Sequence, residues 1–174
     1  MNICLVSQEY PPETARGGIG TQTWNKARAL ARLGHVVHVL SCAAEPGPEL
    51  QTKADAGVTV HRMQPPGFEF PVYDASAYWV GYTWSVLRQL HHLMQTTKFD
   101  VIDFAEYGAE GCAYQLDRTP WNWVPVVVQL YGPLAMFAGL DMPASSALTQ
   151  QRLGWTPTGI GLIADIGQPG YFKA

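Results

Sequence analysis

The sequence predicts an open, doubly wound α/β domain built on a parallel sheet. Short apolar strand-type runs alternate with helix-period segments in the order β-α-β-loop-β-α-β-α-β. The opening 41 residues form one β-α-β unit, whose right-handed crossover makes parallel pairs. The last run, Val124–Leu130 (VPVVVQL), is rich in β-branched apolar residues, as parallel strands covered on both faces are.

Asn2–Ser7 (NICLVS) is the first expected strand, placed centrally in the sheet. A polar loop with Pro11 and Pro12 runs to Gly20, and Thr21–Leu33 follows as a helix. Trp24, Ala27 and Ala31 share its inner face, while Lys26, Arg28 and Arg32 turn away. Gly34 supplies the left-handed stop. His35–Ser41 is strand two and Val58–Met63 strand three, ended by Pro65-Pro66-Gly67. Tyr73–Thr96 reads as a long helix with Tyr78, Tyr82, Val86, Leu90 and Leu93 on one face. The aromatic cluster at 78–84 is expected in the core. Phe99–Phe104 is strand four, Ala109–Leu116 a short helix, and Val124–Leu130 strand five.

At 174 residues and 19.1 kDa the chain fits one domain with a core that needs no disulfide or structural metal. The net charge of −3 gives no footprint for nucleic acid. Cys4, Cys42 and Cys112 lack metal-ligand spacing and read as free, mostly buried thiols of a reducing compartment. The first ten residues have neither a basic stretch nor a long apolar one, so no signal peptide is expected. The longest uncharged run, Thr119–Leu140, is broken by Pro120, Pro125 and Pro133, which argues against a transmembrane segment. The expected location is the cytoplasm.

Ligands of open α/β sheets sit beyond the carboxyl ends of the strands, which selects three loops. After strand one, Gly17-Gly18-Ile19-Gly20 precedes a helix, an arrangement that cradles phosphate or serves as a ligand-free loop. A dinucleotide site is disfavoured: the third glycine of G-x-G-x-x-G is absent, and strand two ends Ser41-Cys42-Ala43 without a carboxylate. No Walker A sequence occurs. After strand four come Asp103, Glu106 and Glu110. Glu106 is balanced between a ligand contact and a solvated charge, whereas Glu110 reads as an acid in the first turn of the short helix. After strand five, Tyr131 stands at the tip, by residue type more often packing than chemistry. The five histidines read as core, rim or helix-end groups, and neither a metal cluster nor a nucleophile elbow is present.

The stretch SQEYPPETARGGIGTQTWNKARALARLGHVVHVLS, with EYPP, GGIG, a helix ending LARLGH and a V-x-V strand in order, resembles the N-terminal domain of retaining GT-B glycosyltransferases. This is the family of glycogen synthase, sucrose synthase and phosphatidylinositol mannosyltransferase. FDVIDFAEYGAEG and VPVVVQLYGPLAMF resemble its fourth and fifth strand regions, so the likeness runs from residue 1 to about residue 138. The resemblance implies a Rossmann-like half of a GT-B architecture, residues 1–140, which moves a sugar from a nucleotide-sugar donor to an acceptor. It places Gly17, Gly18 and Gly20 near the donor phosphates and acceptor, and the Glu106 loop on the acceptor side. Tyr131 stands where the family commonly has a His that contacts the transferring sugar. No metal or other cofactor is implied, because helix dipoles and basic side chains neutralise the leaving diphosphate.

Residues 141–174 do not continue the family pattern, and from Pro125 onward only Asp141, Arg152, Asp165 and Lys173 are charged. The family's nucleotide-sugar domain has no counterpart here. The expectation is therefore a truncated N-terminal half, inactive until a C-terminal domain or partner chain docks. The other reading is a stand-alone module that binds a sugar or phosphorylated ligand in the strand-tip crevice.

Overall fold

The computed structural model describes residues 1–14, 17–69, 71, 74–117 and 124–129. All lie within one compact unit, Met1–Gly139. The elements are β1 (Asn2–Val6), α1 (Gly18–Arg32), β2 (Val36–Cys42), β3 (Leu50–Asp55), β4 (Val58–Met63), a 3-10 turn (Pro66–Phe68), α2 (Ala75–Met94), β5 (Val101–Ala105), α3 (Cys112–Asp117) and β6 (Val126–Gln129).

The six strands form one sheet in the order β3-β4-β2-β1-β5-β6. Every pairing is parallel except β3 with β4. The expected doubly wound parallel sheet is present, with β1 between β2 and β5. Both faces of β1 are covered. Ile3 and Leu5 pack with Val37, Val39, Val58 and Val60 beneath Ala27 of α1. Cys4 and Val6 point the other way, toward Tyr82, Val86, Leu90 and Leu93 of α2. This two-sided burial is why β1 and β2 read as unbroken apolar runs.

Several boundaries differ from the expected ones. β3 was unforeseen: LQTKAD is a polar edge strand with no apolar alternation. It joins β4 through Ala56-Gly57, both at positive φ (47° and 87°), the two-residue turn that matches strand twist. α1 begins at Gly18, so Gly18-Ile19-Gly20 is its first turn and not the loop before it. Gly34, at φ 85°, ends the helix as anticipated. α2 starts at Ala75 behind Asp74, whose carboxylate accepts from the Ala77 N–H at 2.8 Å. α3 starts at Cys112, so Glu110 precedes it. Val127 and Val128 of β6 are half exposed rather than buried. Among the described residues, no helix is long and apolar enough to cross a membrane.

Candidate functional site

The sheet reverses direction at β1: the chain goes to β2 and β4 on one side and to β5 and β6 on the other. In open α/β sheets the crevice beyond such a reversal receives ligands. Here the loops after β1 and β5 meet across it. The Gln8 N–H donates to Glu110 Oε1 at 3.2 Å, while the Gln8 carbonyl accepts from the Cys42 N–H (3.2 Å) and the Ser41 hydroxyl (3.0 Å).

Arg62 holds the loop after β1. Val58, Val60 and Arg62 share one strand face, so the strand's period carries the guanidinium into the interior, where it is only 3% exposed. It donates to the carbonyl of Tyr10 (2.6 Å), the hydroxyls of Thr14 (2.9 Å) and Ser41 (3.2 Å), and the carbonyl of Cys42 (3.3 Å). It also pairs with Glu13 at 3.3 Å. A buried charge is tolerated only when paired and hydrogen-bonded to this degree. Tyr10 is fully buried beside it and donates to Asp55 at 2.9 Å. Asp55 in turn pairs with Arg28, which holds its carboxyl below the usual range. Residues 8–14 are thus held from three strands, β2, β3 and β4.

The three glycines of the α1 motif differ in surroundings. A Cβ on Gly20 would fall 2.8 Å from Glu9 Cβ and 3.3 Å from the Glu9 backbone, so this glycine lets the helix approach the loop. A Cβ on Gly17 would meet Glu9 Oε2 at 3.7 Å, an ordinary contact. A Cβ on Gly18 would meet nothing within 4 Å. Gly17 and Gly18 line a cavity of about 210 Å³ whose other walls include Gln8, Glu9, Tyr107 and Glu110. On the far side of Gln8 and Glu9 a second cavity of about 260 Å³ runs among Thr14, Cys42, Pro65 and Tyr78. Burial pushes the Cys42 thiol up to about 12, with Glu110 adding to the rise, so no thiolate forms there near neutral pH.

The loop after β5 is fitted to its aromatic neighbours. A Cβ on Gly108 would sit 2.0 Å from the Trp79 ring, and one on Gly111 would sit 2.8 Å from that of Phe104. Ala109 adopts φ 51°, a left-handed conformation seldom taken outside glycine. This tight path drives Glu110 inward to 2% exposure. Its second carboxylate oxygen lies 3.5 Å from the Tyr82 hydroxyl. Burial raises the carboxyl to about 8, against the lowering hydrogen bonds from Gln8 and Tyr82, and the charges of Glu106 and Glu9 add to the rise. The expectation of a solvated helix-end acid is therefore corrected: Glu110 is a buried acid that keeps its proton at neutral pH.

Glu106 occupies the end of β5. Its N–H donates to the Gln129 carbonyl at 3.2 Å, and its side chain lines a different cavity, about 190 Å³, together with Phe104, Gln115 and Val128. Gly17 and Gly18 share one cavity, Gly20 packs beneath the β1 loop, and Glu106 faces the neighbouring cavity. Glu110 borders both. Tyr131 lies outside the described residues.

Other side chains depart from their expected places. Lys26 does not turn to solvent but spans the sheet edge to Asp103 (2.8 Å) and Gln129. Cys112 is exposed, whereas Cys4 and Cys42 are buried. Of the aromatic cluster, Tyr82 is buried and Trp84 is half exposed. His38 and His61 stack under α2 with Nδ1 and Nε2 2.9 Å apart, and burial pulls His61 down to about 4. Arg62, Glu110 and Tyr107 are the residues of this region that were not singled out for it. A charged residue following Val58 and Val60 on one strand face was a readable sign of a buried, partnered cation. Among the described residues, no group of three or more His, Cys, Asp or Glu could hold a metal ion.

The mostly parallel, Rossmann-like sheet with helices on both faces has the architecture of one half of a GT-B fold. The chain belongs to the glycosyl transferase 4-like domain family, whose model matches residues 17–156. Its fold is similar to that of sucrose-phosphate synthase from Thermosynechococcus elongatus. That likeness has a TM-score of 0.56 at 13% identity and covers 88% of this chain and 39% of that one. An uncharacterized protein of Schizosaccharomyces pombe is 50% identical over 42 residues, which is 24% of this chain and 14% of that protein. The chain thus spans well under half the length of these relatives.

Proposed function

We propose that this chain is the acceptor-side half of a retaining glycosyltransferase that moves a sugar from a nucleotide-sugar to an acceptor seated at the strand tips. The observation that supports this best is the meeting of the open Gly17-Gly18 turn with buried Glu110 across the reversal crevice, in a chain of the glycosyl transferase 4-like family. Arg62 fixes the loop between them, so the crevice is shaped before any ligand arrives, which lowers the ordering cost of binding. In this reading the donor nucleotide is held by a C-terminal domain or partner chain. The leaving diphosphate is met by helix dipoles and basic side chains without a metal, and assists deprotonation of the acceptor on the same face.

Transfer of labelled sugar from a panel of nucleotide-sugars tests this, with the 174-residue chain alone and with it joined to a C-terminal GT-B domain. The expected result is transfer only by the joined protein, undiminished by EDTA. No transfer from any donor by the joined, folded protein would contradict the proposal.

A further inference from the structure

The β3–β4 hairpin forms one edge of the sheet, and its two faces are tied to different parts of the molecule. On the α1 side it grips the loop after β1. Arg62 donates to the Tyr10 carbonyl at 2.6 Å and the Thr14 hydroxyl at 2.9 Å, Lys53 pairs with Glu13 at 2.6 Å, and Asp55 accepts from the Tyr10 hydroxyl at 2.9 Å. On the α2 side the hairpin presents His61, only 5% exposed, between Thr52 of β3 and His38 of β2. The Thr52 hydroxyl lies 3.0 Å from His61 Nδ1, and His61 Nε2 lies 2.9 Å from His38 Nδ1. The two imidazoles are parallel to within 5°, and Phe99 meets His38 edge-on.

We propose that the His38–His61 pair is a proton-operated pin: acid parts the two rings, loosens the β3–β4 hairpin, and through it releases residues 8–14, which wall the crevice. The line between the rings has room for one proton, with one imidazole donating its N–H and the other accepting. Two imidazolium rings would set two N–H groups against each other across 2.9 Å, so the pair cannot hold two charges in this geometry. A single charge is also opposed, because the charges that act on His61 are those of His38 and of His92 on α2, and none is a carboxylate. Cys4 of β1, in register with His38, is a thiol that burial keeps protonated. Farther along α2, Arg88 is engaged by Glu49 and Glu69, and His91 by Asp117. Burial, with the charges of His38 and His92 adding to it, pulls His61 down to about 4, and burial lowers His38 as well. Protons thus bind more readily once the rings separate. The stability carried by the pair is complete above pH 6.5 and falls as pH drops toward 4. The element that yields is the hairpin, since among the described residues β3 is paired on one side only, and weakly covered edges open at lower free energy than the centre of a fold. Its movement withdraws Arg62, Lys53 and Asp55 from the loop. Gln8, Glu9 and Thr14 line the two cavities beside β1, so the crevice changes shape with them. The device is independent of what the crevice binds.

The test is a series of amide and histidine-ring NMR spectra of the 174-residue chain, recorded from pH 7.5 to pH 4. The amides of residues 50–63 and 8–14 should change together, while those of Val101–Ala105 in β5 stay native. Their common midpoint should fall below 6.5 and coincide with the titration of the His38 and His61 rings. His38→Gln combined with His61→Gln keeps polar side chains without a titrating ring and should erase the transition, whereas His91→Gln, at an exposed ring, should leave it in place. Titration of both rings at pH 6.5 or above overturns the inference. So does a hairpin that moves without residues 8–14, loss of the whole sheet in one transition, or a transition that survives in the folded double variant. Should the double variant fail to fold, the coincidence of midpoints in the wild type decides.

Discussion

Two glycine-bearing loops flank the same crevice, and they are glycine-rich for opposite reasons. In the loop after β5, Gly108 and Gly111 are pressed against the rings of Trp79 and Phe104, where a single added carbon collides. In the first turn of α1, Gly18 has nothing within 4 Å of where its Cβ would stand, and only Gly20 is pressed, against Glu9. The first loop spends its glycines on packing that drives Glu110 into the interior. The start of α1 leaves Gly17 and Gly18 facing a cavity. A glycine motif read as a phosphate cradle can thus combine positions of both kinds, and the space around each Cβ separates them.

The sharpest way to break this comparison is Gly111→Ala. Phe104 is fully buried, so the added methyl overpacks the core and should cost about 3 kcal/mol in urea unfolding; a loss under about 0.5 kcal/mol would show that the loop yields. Gly20→Ala should cost about 1 kcal/mol net, because a clash with the Glu9 backbone is partly offset by the better helix propensity of alanine. Gly18→Ala lies at the other end of the series. With no clash, its unfolding free energy should stay level or rise by up to about 1 kcal/mol.

The loops also differ in what pH does to them. Glu110 has its proton affinity raised to about 8 from an ordinary value of 4.5. The stability tied to its buried, protonated form is therefore present below about pH 4.5 and falls as pH rises through 8. Under α2, His61 is depressed from 6.5 to about 4, so its contribution is complete above pH 6.5 and falls as pH drops toward 4. Chemical unfolding from pH 5 to 9 should show wild type weakening toward pH 9 and Glu110→Gln weakening less. Parallel curves for the two proteins would place the Glu110 carboxyl in water.

The strands that build the sheet were legible because burial on both faces leaves only apolar residues: NICLV and VVHVL permit little else. The edge strand β3 was not, since LQTKAD gains its place from pairing with β4 and a two-residue turn, Ala56-Gly57, that lacks the usual Asn or Asp. The glycine cluster was visible in the sequence, but not that Gly18 opens α1 beside free space while Gly20 is pressed on Glu9. Glu110 was misread because its burial depends on Gly108 and Gly111 fitting rings that approach from α2 and β5, and no local pattern encodes that contact. Arg62 shows an intermediate case, in which the strand's period pointed inward while the six groups that receive its guanidinium come from residues far away in the chain.

The most direct measurement is sugar transfer by this domain joined to a nucleotide-sugar domain, comparing wild type with Gly18→Leu at matched unfolding midpoints. The expected result is transfer by wild type and at least a tenfold loss in kcat/KM for the variant, carried by the acceptor KM. Equal transfer by both proteins would show that the open face of α1 does not border the acceptor.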